Sequence, residues 1–221
     1  MHHTQSNLIE INEKIKDKIK NLFLSEYDPK VIAVSKTFSE EDIMPLIKYG
    51  HCDFGENKVQ EAQKKWPKLK ELNKNLKLHM LGKLQTNKVK NAVEIFDYIH
   101  SLDSLKLANK ISNEIHKKSK KIKIFIQINL GGEKQKSGIE PSDLEEFYKN
   151  CKKLKLDIIG TMCIPPDNQD PRHFFKDLMQ LNKKINLPEI SMGMTNDYLH
   201  ALEYKSTYLR IGTGIFGKRT K

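Results

Sequence analysis

A lone lysine, Lys36, closes an almost unbroken apolar run, Val31-Ile32-Ala33-Val34-Ser35, and is followed at once by a mostly polar stretch over residues 37–42. Such a run reads as a strand covered on both faces in a parallel sheet. The carboxyl ends of such strands are where α/β proteins bind ligands, and an amine held there can capture an aldehyde. On this segment alone the plainer reading is a first solvated residue after a strand; the rest of the chain shifts the balance. Near the other terminus Gly212 and Gly214 bracket Thr213. Backbone amides and a hydroxyl can approach an anion closely there, as in the phosphate sites after the last two strands of barrels. Thr195, opening a helix after the seventh strand, would bring a second hydroxyl to the same anion. Alone, Gly-Thr-Gly is weak evidence, because glycines also close helices and turns. Joined to Lys36 it points to an aldehyde that carries a phosphate.

Positioning these groups requires a particular succession of elements. Short β-rich runs at 31–35, 52–55, 76–81, 97–101, 122–129, 157–162, 189–194 and 208–212 alternate with helical periods at 40–49, 58–65, 86–95, 104–117, 142–153, 172–185 and 197–203. With a leading helix over 6–24, the pattern predicts an α/β protein, a single (β/α)8 TIM barrel filling residues 1–221 as one domain. An open doubly wound sheet would need a Gly-rich phosphate turn after the first strand, where this chain has Ser35-Lys36-Thr37. Ser39 ahead of Glu40-Glu41-Asp42 supplies an N-cap and an acidic first turn, and Pro141 and Pro171 mark two further helix starts.

Composition narrows the partners. The 221 residues suffice for one good core, and the net charge of +11 would suit an anionic ligand. Its lysines are scattered through amphipathic segments. The densest tract, Lys117-Lys118-Ser119-Lys120-Lys121, lacks interleaved aromatics, so a solvated surface is expected and no nucleic-acid partner. Cys52, Cys151 and Cys163 are odd in number and widely spaced, which suits reduced thiols better than disulfides or zinc ligands. No apolar run reaches the roughly 18 residues needed to span a bilayer, and the polar start reads as a mobile terminus, so a soluble cytoplasmic protein without a membrane partner is expected.

The blocks Ala33-Val34-Ser35-Lys36-Thr37, Phe54-Gly55-Glu56-Asn57, residues 79–88 and 129–138, Gly160-Thr161-Met162 with Ile164-Pro165, residues 191–197 and residues 210–217 together closely resemble the pyridoxal-phosphate homeostasis protein family. The resemblance spans 31–217 and implies a barrel similar to that of alanine racemase, holding pyridoxal 5′-phosphate (PLP) on a lysine. By position it makes Lys36 the Schiff-base lysine and sets Asn57 beside the cofactor on the neighbouring strand end. Met194 would lie on the pyridine face, Thr195, Gly212 and Thr213 around the phosphate, and Arg210 opposite the ring nitrogen. Ser191 is a further candidate. Thr161 stands where the family more often has leucine.

The resemblance implies a cofactor carrier in vitamin B6 homeostasis rather than an enzyme, delivering PLP to apo-enzymes or salvage enzymes, and a monomer is expected. The competing reading is a PLP-dependent racemase or decarboxylase. Racemases of the similar barrel complete their site with a base from a second domain, and this chain ends at Lys221, soon after the eighth strand. Capture by Lys36 needs a neutral amine, which desolvation and Arg210 would favour and a bound phosphate would oppose. His79 reads as a hydrogen-bonded barrel histidine rather than an acid or base, and Met192 as packing. Lys134 and Lys136 read either as a gate or as solvated loop surface.

Overall fold

A computed structural model describes residues 1–133 and 137–218. Eight parallel strands, β1 (Lys30–Val34), β2 (Asp53–Glu56), β3 (Lys77–Met80), β4 (Tyr98–Leu102), β5 (Lys123–Gln127), β6 (Asp157–Met162), β7 (Glu189–Met194) and β8 (Tyr208–Ile211), pair in chain order, and β8 closes onto β1. This is the predicted barrel. Around it lie α1 (His3–Asn21), α2 (Glu40–Tyr49), α3 (Val59–Leu72), α4 (Val89–Ile95), α5 (Leu105–Lys118), α6 (Leu144–Lys153), α7 (Pro171–Lys184), α8 (Tyr198–Glu203) and a single turn, α9 (Thr213–Phe216). Among the described residues no helix is long and apolar enough to cross a membrane.

Strand periodicity of two divides the core into two compartments. On β1, Val31 and Ala33 belong to the apolar layer between sheet and helices, whereas Ile32 and Val34 point into the barrel with Leu81, Tyr98, Phe125, Met162 and Tyr208. The same alternation carries forward, so Lys36 shares the inward parity of Ile32 and Val34 and arrives at the barrel mouth. On β8, Leu209 and Ile211 face the helices. Tyr208 and Arg210 therefore face the interior, with Gly212 next in that parity.

Several boundaries differ from expectation, and three of the differences have a visible physical cause. The leading helix begins at His3 rather than residue 6, because the His2 ring caps it by accepting from the Thr4 N–H, while Thr4 is fully buried and bonds the Asp42 carbonyl. The amino terminus is thus built into the fold, not mobile as expected. Helix α3 runs seven residues past the predicted end at 65, straight through Pro67. Proline inside a helix costs about 3 kcal/mol, but Trp66 and Leu69 are both buried against the barrel, and burial of two large apolar side chains is of comparable size or larger. Finally, the glycine loop after β8 winds into α9. The Thr161 hydroxyl donates to buried Asn182 Oδ1 at 2.9 Å, and Asn182 in turn donates to the Leu187 carbonyl at 2.7 Å. That pairing removes the cost of burying the hydroxyl.

Candidate functional site

A cavity of about 530 Å³ opens over the carboxyl ends of the strands, and Lys36, Asn57, Met194, Thr195, Arg210, Gly212 and Thr213 all line it. The seven residues named from sequence are therefore brought together from β1, β2, β7 and β8. Phe38, Leu81, Ile164, Pro165 and Pro166 add apolar wall, and Asp197 and His200 lie at the rim. Ser191 is not part of the lining; it sits fully buried behind Arg210 and accepts from its Nη1 at 2.7 Å. The expectation for Lys134 and Lys136 lies outside the described residues.

The turn that carries Lys36 is held from outside the barrel by groups the sequence reading did not single out. Thr37 adopts a left-handed φ of 69°, a costly conformation for a β-branched residue, and its N–H donates to the Glu61 carboxylate on α3. One helical turn on, the Lys65 ammonium donates to the carbonyls of Ser35 (3.0 Å) and Phe38 (3.1 Å), so it grips the backbone on both sides of Lys36. The same ammonium pairs with Glu56 at 2.7 Å and Glu61 at 3.0 Å. Glu56 is completely buried, and its Oε1 also accepts from the Ser35 hydroxyl (2.9 Å) and the Trp66 indole (3.1 Å). Burial pushes its carboxyl above the usual range against the pull of Lys65. Lys65→Met should strand this carboxylate and release the turn, with an expected loss of about 3–5 kcal/mol in urea unfolding. A loss below about 1 kcal/mol would show that the clamp is not structural.

Met194 reaches the cavity through a break in strand periodicity. Register between β7 and β8 shifts between Ser191 and Met194, and Gly193 within the shift has φ 89°. A Cβ there would lie 2.7 Å from that of Ala201, so both conformation and space demand glycine. Asp197 closes the following turn by accepting from the Met194 N–H at 2.5 Å. Thr195 links the last two loops: its hydroxyl oxygen accepts from the Gly214 N–H at 3.2 Å, which leaves its own proton to donate. Asn57 is fixed by backbone contact, for a Cβ on Gly82 would come within 2.3 Å of the Asn57 carbonyl.

Under the cavity lies a polar interior. His79 Nε2 is 3.0 Å from Asp53 Oδ1 and its Nδ1 is 3.0 Å from His100 Nε2, so it is the hydrogen-bonded barrel histidine expected. His100 itself escaped the sequence reading, although its inward parity with Tyr98 on β4 was a usable signal. Burial lowers the basicity of His51, His79 and His100 below the ordinary histidine value of 6.5. In the unfolded chain these rings take up protons near that value, so the unfolded state binds more protons and stability falls as pH drops below it. The urea midpoint should decline from about pH 7 to about pH 5, and His100→Phe should flatten that decline; an unchanged slope would exclude this ring as a source. Cys151 and Cys163 are buried free thiols, in keeping with the reduced thiols expected, and desolvation pushes both up to about 12.

Residues 12–220 match the family model described as alanine racemase, N-terminal domain. The pyridoxal phosphate homeostasis protein of Aquifex aeolicus is 36% identical over 222 residues, covering 96% of each chain. This chain belongs to the pyridoxal phosphate homeostasis protein family. Among solved structures, PipY of Synechococcus elongatus, determined with PLP bound, superposes with a TM-score of 0.81 at 32% identity, covering 92% of this chain and all of that one. Alanine racemase of Clostridium difficile shares the barrel with a TM-score of 0.72 at 16% identity. It matches 99% of this chain but only 57% of the racemase, so that likeness is one of fold.

Proposed function

We propose that this protein binds pyridoxal 5′-phosphate in the cavity at the barrel mouth and carries or buffers it for other proteins, with Lys36 as the capturing amine. One arrangement carries the reading: an amine just past β1, hydroxyls from the loops after β7 and β8, and a guanidinium from β8 line the same cavity. The residues fit the group. Gly212 has φ −109° and a Cβ there would meet nothing closer than Val34 at 3.5 Å, so neither conformation nor packing requires glycine. Its missing side chain keeps the wall open beside Thr213 and leaves backbone amides within reach of an anion.

When bound, the cofactor supplies an aldehyde carbon that condenses with a neutral amine and loses water. Lys36 offers that amine from a turn clamped by Lys65, which limits the positions its Nζ samples. Thr195 and Thr213 would donate to the cofactor's phosphate oxygens, Asn57 would border it from just past β2, and Met194 would lie on the ring face. Arg210 is fixed in charge and only donates hydrogen bonds, so opposite a pyridine nitrogen it disfavours protonation of that nitrogen and weakens the ring as an electron sink. A carrier tolerates this, whereas a racemase or decarboxylase must compensate for it. The acceptors are apo-enzymes or salvage enzymes, and the carrier is a monomer.

The test pairs two assays on the loaded protein. Incubated with an apo-enzyme that needs PLP, it should restore activity as its own visible absorbance falls. Incubated with L-alanine and other L-amino acids in deuterated water, it should leave the α-proton and chirality unchanged on the timescale of enzymatic turnover. Rapid exchange lost in Lys36→Ala would overturn the carrier reading in favour of catalysis.

A further inference from the structure

The barrel interior is threaded by a continuous file of hydrogen bonds from floor to mouth. Asp53 Oδ1 meets His79 Nε2 at 3.0 Å, His79 Nδ1 meets His100 Nε2 at 3.0 Å, and His100 Nδ1 meets Ser191 Oγ at 2.9 Å. Ser191 Oγ then meets Arg210 Nη1 at 2.7 Å, and Arg210 Nη2 donates to the Cys163 carbonyl at 2.8 Å. His79, His100 and Ser191 are inaccessible to solvent and Arg210 nearly so, while the Asp53 side chain at the floor retains 22% exposure. The rings are held flat against neighbours, His79 on Tyr98 and His100 on Phe125, each with centroids 4.2 Å apart.

The two ends of this file fix the direction of every bond between them. A guanidinium can only donate, so Ser191 Oγ accepts from Arg210. An ionised carboxylate can only accept, so His79 Nε2 carries a proton toward Asp53. With His79 neutral, its Nδ1 must accept from His100 Nε2–H. His100 Nδ1 is then an acceptor, and the Ser191 hydroxyl donates to it. Reversing the middle of the file would require an imidazolium or a protonated carboxyl. Burial opposes the first, and near His100 the Arg210 charge adds to it.

We propose that Asp53, His79, His100 and Ser191 form a one-way positioning relay that orients Arg210 at the cavity floor. The inference rests on the reading that Arg210 faces the ring of a bound cofactor. The relay ends on a group that does not release its proton, so it cannot conduct a proton to the mouth; it acts by orientation. A free arginine side chain samples many rotamers, and binding must then remove that freedom. Here two of its nitrogens are already committed, to Ser191 and to Cys163, so the remaining N–H groups are preset before a ligand arrives. The carboxylate at the floor polarises each neutral group in turn and so strengthens the last bond to Arg210. His79, His100, Ser191 and Asp53 are thereby positioning residues, none of them lining the cavity.

The test begins without cofactor. Long-range proton–nitrogen correlation spectra of the ¹⁵N-labelled protein at neutral pH should show both His79 and His100 neutral and protonated on Nε2. Arg210→Met should disturb the His100 pattern by removing the donor end. With cofactor, His100→Phe and Ser191→Ala should each weaken PLP binding by about tenfold, the usual size of a lost bond to a charged group, and shift the visible band of the bound form. Inorganic phosphate should compete for the apo-variants as well as for the parent protein, because the hydroxyls after β7 and β8 are untouched. Loss of both affinities together would mean that the barrel had merely loosened, and would overturn the proposal. So would a proton on His100 Nδ1 in the parent protein, or wild-type PLP affinity with an unshifted band in both variants. Failure of the parent protein to bind PLP would instead remove the cofactor reading, with the histidine spectra still deciding the relay.

Discussion

Lys36→Ala is expected to abolish covalent capture of pyridoxal phosphate while leaving the barrel folded. Borohydride reduction of the loaded parent protein should fix the cofactor's mass onto the peptide containing Lys36, and the variant should yield no such peptide. The cavity residues make the effect close to all-or-none. Lys65 is the other amine at this turn, yet its ammonium is committed to Ser35, Phe38, Glu56 and Glu61. Held among two carboxylates and two carbonyls, it does not line the cavity. Folding should be spared because the packing under the turn comes from Ile32 and Val34, which the substitution leaves in place. A fixed adduct of the same yield in Lys36→Ala would overturn the assignment.

The second large effect is expected from Thr195→Val combined with Thr213→Val. Each hydroxyl removed from an anion costs roughly 1.5–3 kcal/mol, so the pair should weaken binding of the phosphate ester by about 10²- to 10⁴-fold. Stability should change far less. Thr213 is exposed, and Thr195 contributes to the fold chiefly by accepting from the Gly214 N–H at 3.2 Å, a bond of about 1 kcal/mol. Titration with PLP, and with inorganic phosphate as a competitor, separates the two quantities. Unchanged affinity for both would place the anion elsewhere.

The parts of this protein legible in its sequence are those that depend on local pattern. Buried strands of a parallel sheet are nearly continuous apolar runs, so all eight strands could be read to within two residues of their ends, and their number and alternation with helices specify a barrel. Residues just past those runs must gather at one rim, which is why Lys36, Thr195 and Thr213 could be singled out from pattern, whereas Asn57 was implied only by the family resemblance. Other features depend on contacts between residues far apart in the chain, and sequence pattern does not report those. The clamp on Lys36 joins Glu56, Glu61 and Lys65, which in sequence look like ordinary charged residues of an amphipathic helix and a strand end. His79 and His100 are 21 positions apart and meet only because neighbouring strands share a register. The shift at Gly193 reverses the facing of Met194, and helix α3 passes Pro67 because burial of Trp66 and Leu69 outweighs a local penalty. Sequence by itself determined the barrel and the chemistry available at its rim, since both follow from which residues are apolar and in what order. Only the tertiary structure decided how that chemistry is held, because orientation is set by hydrogen bonds and packing between elements that the chain brings together last.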